Sequence, residues 1–161
     1  MTERKNNPAA IDDIVFLGRA LERLSVLIDE QSKAVFDDMG IVIPVHSCSL
    51  MVVLAHLGAA SASDLARELG RSHQLVMQKI PKLVSLGLIH HQKDDEDARR
   101  RVFHLTDKGV EQLAKFEQCR MRLHVVYEGL FAEAGDVKTL VDQMADALSV
   151  RPLGARINPD G

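Results

Sequence analysis

Cysteine is scarce: Cys48 and Cys119 are the only two in 161 residues, which is no disulfide framework. Long hydrophobic runs are missing as well. None approaches the roughly 20 apolar residues of a membrane-spanning helix, and the N-terminal stretch Met-Thr-Glu-Arg-Lys-Asn-Asn-Pro has no apolar centre of the kind a signal peptide needs. Both absences lead us to expect a cytoplasmic protein with no membrane partner. The marks of catalysis are absent too: no phosphate-cradling glycine loop, no nucleophile elbow, and no paired carboxylates in a cleft-forming context. The run Asp94-Asp95-Glu96-Asp97 is too charged to bury and reads as solvated loop. Seven histidines form no cluster with zinc spacing, and the neighbours His90 and His91 point to opposite faces of a strand. The expectation is a protein that is not an enzyme, with no cofactor, no metal and no catalytic residue. Even a basic excess is lacking, since the net charge is −3, and a general nucleic-acid binder would carry one.

What is present is a distribution. Between Arg67 and Lys93 there are five basic residues (Arg67, Arg71, Lys79, Lys82, Lys93) against one acidic residue, Glu68. Arg99, Arg100 and Arg101 follow the acidic run Asp94 to Asp97. A basic face on an acidic body is compatible with such a count.

The stretch from Ser61 to Gly109 organises the chain. Small polar residues at Ser61-Ala-Ser-Asp64 suit a helix start, Leu65, Ala66 and Leu69 share a face, and Gly70 stops the helix. Ser72 caps a second helix whose apolar positions Val76, Ile80 and Leu83 have the spacing of a buried face. Two helices joined by so short a turn are a helix-turn-helix. Gly87 ends the second helix. Leu88 to Gln92 alternates as a strand, Asp94 to Arg101 forms a loop, Val102 to Leu105 returns as the partner strand, and Thr106 caps the next helix. The fold class is therefore mainly α with a small β-hairpin wing: a winged helix-turn-helix flanked by N- and C-terminal helices.

The flanks read as helices with wide apolar faces. Ile14, Val15, Leu17, Leu21, Leu24, Leu27 and Ile28 line a stripe between Ile11 and Asp38. Gly40 to Pro44 is a break, and the helix after it would present Val45, Cys48, Val52 and also Leu50 and Leu54 to the core. After the wing, Val110, Leu113, Phe116 and Leu123 mark a long helix ending near Leu130. Gly129 and Gly135 bracket a turn, and a last helix from Asp136 to Leu148 carries Val137, Leu140, Val141, Met144 and Leu148. The expected division is 1–10 loose N-terminus, 11–43 N-terminal helix and connection, 44–105 winged helix-turn-helix, 106–149 C-terminal helices, and 150–161 extended tail.

A helix of this kind fits the major groove of DNA, with its N-terminal residues nearest the base edges. With Val76, Ile80 and Leu83 turned inward, the outward face holds His73, Gln74, Met77, Gln78, Pro81 and Lys82. Gln74 and Gln78 are the base-reading candidates, because a glutamine amide pairs with adenine N6 and N7. Met77 suits a thymine methyl. Lys82 and Arg71 suit phosphates, with Ser72 and His73 at the helix start beside them. Pro81 removes one backbone donor and is expected to kink or shorten the helix. An arginine at a hairpin tip is drawn to the negative potential of a narrow minor groove, which singles out Arg99. Asp97 would orient it, and Arg100 and Arg101 alternate between phosphate and solvent.

The runs Leu65-Ala66…Leu69-Gly70, Gly87-Leu88-Ile89, Asp97-Ala98-Arg99 and Leu105-Thr106-Asp107-Lys108-Gly109 resemble the MarR family of bacterial transcription regulators, over about residues 11–149. The D-x-R wing followed by L-T-x-x-G is the most specific part. The resemblance implies a homodimer built on the terminal helices, a pseudo-palindromic DNA operator, Arg99 in the minor groove beside Asp97, and repression relieved by a small anionic or phenolic effector. Gln78 departs from the family, where arginine is common. Two other readings stand beside this one: a winged-helix protein-interaction module without DNA binding, and a redox-sensing regulator. For the second, Cys48 lies on an apolar helix face, whereas Cys119, between Glu117 and Arg120, has a mixed setting that would depress its pKa.

Overall fold

The computed structural model describes residues 13–93 and 101–157. The chain forms two compact units, Met1–Cys119 and Arg120–Gly161, whose boundary falls inside a helix.

In the first unit a single 3₁₀ turn, Ile14–Phe16, leads into α1, Leu17–Asp38. Asp13 caps that turn by accepting from the Val15 N–H at 3.0 Å. The predicted break follows, and Pro44 stands at the head of a second 3₁₀ turn, Val45–Ser47, before α2, Cys48–Leu57. Cys48, Leu50, Met51 and Leu54 of α2 are buried. Val52, expected inside, is 42 % exposed. The 3₁₀ turn rotates the start of α2, so Met51 takes the inward position that an α-helix counted from Pro44 would give to Val52.

Next come β1, Ala60–Ser61, and α3, Ala62–Leu69. Ser61 and Asp64 form a reciprocal capping box: the Asp64 N–H donates to Ser61 Oγ at 3.2 Å, and the Ser61 N–H donates to Asp64 Oδ2 at 3.0 Å. Gly70 ends α3 in the left-handed conformation (φ 59°), which costs glycine nothing and lets the chain turn within three residues into α4, His73–Ser85. The hairpin is β2, Ile89–Lys93, and β3, Arg101–Leu105. β1 pairs antiparallel with the other edge of β3, giving a three-stranded sheet in the order β1-β3-β2. That third strand was not expected. Two residues are too few for an alternating pattern, and only the arrival of β3 makes them a strand.

The helix after the wing is α5, Asp107–Ala134. Its first half belongs to this unit. Phe116 meets Phe36 of α1 edge-on at 5.8 Å. The buried Gln112 accepts from the Val42 N–H at 2.7 Å and donates to the Gly40 carbonyl at 3.3 Å, so one amide satisfies two backbone groups of the break. The core is Leu50, Met51, Leu54, Leu65, Leu83 and Leu88, none of them measurably exposed.

The second unit holds the rest of α5, then α6, Val137–Val150, and α7, Leu153–Ile157. Asp136 caps α6 through the Thr139 N–H at 3.0 Å. Three expectations need correcting. Gly129 lies within α5 instead of opening a turn, which Gly135 alone makes. The long helix runs on to Ala134, past its expected end near Leu130. Residues 150–161 are not wholly extended, because Leu153–Ile157 is helical. Arg156 ties it back by donating to the Arg151 carbonyl at 2.8 Å and the Ala147 carbonyl at 2.7 Å.

Candidate nucleic-acid interface

The candidate recognition helix α4 is held from both ends and from behind. At its start Ser72 Oγ accepts from the Leu75 N–H at 3.3 Å, so this side chain has a structural task as the cap. Behind, Val76, Ile80 and Leu83 are buried as their spacing predicts. Lys79 donates to the His46 carbonyl, and His46 Nε2 pairs with Asp29 of α1 at 2.9 Å. Lys79 is half-buried, with its ammonium tied to the His46 carbonyl. Arg67 is likewise engaged, pairing with Asp64 at 3.0 Å on the same helix.

The opposite face of α4 is open. Arg71, Ser72, His73, Gln74, Met77, Gln78, Pro81 and Lys82 are all exposed, which brings the sequence-predicted contacts on this helix into one strip. Leu75, 44 % exposed, joins them and was not anticipated. Pro81 does not end the helix, which runs unbroken to Ser85. The bond a proline deletes, from its own nitrogen to the carbonyl four residues earlier, is here the one to Met77, on the exposed side where water can replace it.

The wing is anchored at its base by the L-T-x-x-G run. Thr106 Oγ1 accepts from the Gly109 N–H at 3.0 Å, capping α5, and donates to the Gly87 carbonyl at 2.6 Å. The Thr106 N–H donates to the Leu88 carbonyl at 3.0 Å, and Lys108 Nζ donates to the Leu86 carbonyl at 2.8 Å. Gly109 is required by space: a Cβ there would stand 2.0 Å from the Leu88 carbonyl oxygen. The end of α4, the start of β2 and the start of α5 are thus sewn at one point.

Asp97, Arg99 and Arg100 lie outside the described residues. Arg101 is exposed at the start of β3 and stands directly across from Lys93 at the end of β2. Facing cations across a strand pair are destabilising on their own and favour a polyanion beside them. Lys93 was counted among the basic residues but not among the contacts. The signal was available only through the register, which pairs 93 with 101.

Both cysteines are buried, Cys119 completely. Burial pushes the Cys48 thiol up to about 12, helped by the nearby Cys119. At neutral pH Cys48 is a thiol and a poor nucleophile.

Residues 43–100 match a family model described as MarR family. No curated protein matches the chain in sequence. Among solved structures, a mutant MarR from E. coli complexed with operator DNA is similar with a TM-score of 0.65 and 18% identity, over 86% of this chain and 97% of that one. The transcriptional repressor CouR bound to a 23-mer DNA duplex has a TM-score of 0.62 and 20% identity, over 88% and 96% of the two chains. A probable transcriptional regulator from Pseudomonas aeruginosa has a TM-score of 0.59 and 21% identity, over 84% and 97%. At such identities the structural likeness carries the fold, while the matched segment spans the helix-turn-helix and reaches into the wing. The segment 43–100 is thus similar to the MarR family model, and the architecture around it is the winged-helix fold of these structures.

Proposed function

We propose that the protein is a homodimeric, sequence-specific DNA-binding transcription regulator, a repressor that a small anionic or phenolic ligand releases, working in the cytoplasm and without a catalytic step. The observation that carries this reading is the strip on α4. A helix locked by Val76, Ile80 and Leu83 presents His73, Gln74, Met77, Gln78 and Lys82 together to solvent. Each subunit would lay α4 in a major groove, with Gln74 and Gln78 on base edges and Arg71 and Lys82 on phosphates. Lys93 and Arg101 would flank the groove, and Arg99, with Asp97 orienting it and Arg100 beside it, would enter the neighbouring minor groove. Two subunits then read a pseudo-palindromic site.

The dimer is supported by apolar surface that the chain alone leaves bare. Ile14, Val15, Phe16, Leu17, Leu21 and Leu24 on the N-terminal side, and Met121, Val125, Leu140, Met144 and Leu148 on the C-terminal side, are all exposed. A ligand releases DNA if it binds preferentially to the spacing of the two lobes that cannot engage both half-sites.

The test is fluorescence anisotropy with the DNA upstream of the protein's own coding region, at two salt concentrations. Wild type should bind with affinity that falls steeply as salt rises. Lys82→Ala should weaken binding to every sequence and reduce the salt slope by about 1, whereas Gln78→Ala should relax sequence preference at about 1–3 kcal/mol for the base it reads. Binding no tighter than to a random duplex, both on this DNA and after selection from a random library, would overturn the reading.

A further inference from the structure

The hairpin holds a pair of groups that DNA binding does not use. In the β2–β3 register His90 stands directly opposite His104, on the same face of the sheet. Their imidazoles are 5.3 Å apart between centroids and within 19° of parallel. No third ligating side chain joins them: among the described residues no group of three or more His, Cys, Asp or Glu comes together. His91, the sequence neighbour, is paired with Phe103 on the other face.

The spacing of the two rings is informative. An imidazole nitrogen binds zinc at about 2.0–2.1 Å, which puts each ring centroid about 3.2 Å from the metal. Two imidazoles at the tetrahedral angle then have centroids about 5.2 Å apart, against about 4.5 Å for a right-angled pair on an octahedral or square-planar ion. The observed 5.3 Å belongs to stacked rings, so it puts both histidines within reach of one ion without fixing the angle between them. Directly paired residues on one face of a sheet have Cβ atoms about 4.5–5.5 Å apart, so a turn of the rings brings one nitrogen of each to a shared ion. Their Cβ–Cγ torsions are broad and soft. Both imidazoles also line a cavity of about 550 Å³ whose other walls include Leu54, Leu105, Val110 and Leu113. That space gives room for the two waters that would complete four-coordination.

The geometry points to a zinc site of two histidines, His90 and His104, clasping β2 to β3 at the base of the wing. Zinc bound there cross-links the two paired strands of the hairpin. The site stands apart from the DNA-binding reading, and its test needs no DNA.

Isothermal titration of the full chain with zinc chloride should show one ion bound per chain. His90→Gln and His104→Gln should each weaken binding roughly tenfold or more, as loss of a metal ligand does at least as much as loss of its supporting shell. His91→Gln should bind as wild type does. The two target side chains are not buried, and circular dichroism of the metal-free variants checks that they fold. In wild type alone, the imidazole proton resonances perturbed by zinc should be those of His90 and His104. Absence of binding, equal affinity in all three variants, or perturbation of any other pair of histidines would overturn the site.

Discussion

Two regions of this chain treat their apolar residues in opposite ways. From Ile41 to Cys119 most of the leucines, isoleucines and methionines are consumed inside the unit, Leu57, Leu75 and Met77 apart: Leu50, Met51, Leu54, Leu65, Leu83 and Leu88 have no measurable exposure. From Arg120 to Ile157 no described residue is buried at all, although Met121, Val125, Val126, Leu140, Met144, Val150 and Leu153 are all large and apolar. The first region is a finished core. The second has the amphipathic pattern of a packed helix pair but only half of the contacts that pattern implies. An apolar stripe left open at this scale is the surface that the proposed dimer would cover. The lesson is that helical periodicity reports that a face will be covered, not which chain covers it.

Four measurements would break or sharpen that contrast. The largest effect is expected from Gly109→Ala, which drives a Cβ to 2.0 Å from the Leu88 carbonyl oxygen at the junction of wing and α5. Urea denaturation should show a loss of about 3 kcal/mol or more, at the upper end of overpacking costs, and a variant as stable as wild type would mean the junction is looser than described. Next, Leu140→Asp combined with Met144→Asp should leave the monomer's helical spectrum in place while weakening self-association by about 3 kcal/mol. Sedimentation velocity at several concentrations reads this directly, and an unchanged sedimentation profile would remove α6 from the interface.

The third prediction concerns the finished core and has a definite sign. Burial raises the Cys48 pKa from its ordinary 9.0 to about 12. The folded chain therefore holds that proton more tightly than the unfolded chain does. The resulting stabilisation is fully present below pH 9 and is lost as pH climbs toward 12. The urea midpoint of wild type should accordingly fall more steeply above pH 9 than that of Cys48→Ala, and parallel curves would contradict the burial. The smallest effect belongs to Gly129→Ala, on the same helix as Gly109 but in the open region. A Cβ there meets nothing within 4 Å, and replacing a helical glycine should add about 1 kcal/mol or less. A loss of stability that appears only at concentrations favouring the dimer would place Gly129 under a second chain.

Much of the first region was legible in the residues. Ser61 and Ser72 as caps, Gly70 as the turn, Val76, Ile80 and Leu83 as the inward face of α4, and the strand after Gly87 all follow from local rules. They hold because each rule acts within one or two helical turns. Where the reading failed, a non-local contact decided. Lys79 counts as a free surface cation by sequence, yet its ammonium is held by the His46 carbonyl, 33 residues away. No local rule singles out Gln112, yet it is buried to serve Gly40 and Val42, some 70 residues away. β1 exists only because β3 lies beside it. Gly129 was read as a turn because glycine often makes one, but an exposed helix tolerates it at modest cost.

The sequence by itself determined the order of elements, the two buried helix faces of the helix-turn-helix, and the composition of the α4 strip, because caps, glycines and periodicity act over a few residues. Only the tertiary structure decided the register that sets Lys93 against Arg101 and His90 against His104, and the close approach that demands glycine at position 109. Pairings between strands and between a helix and a carbonyl depend on where distant segments meet. Once the chain has folded, those meetings fix which cations face outward and which imidazoles face each other.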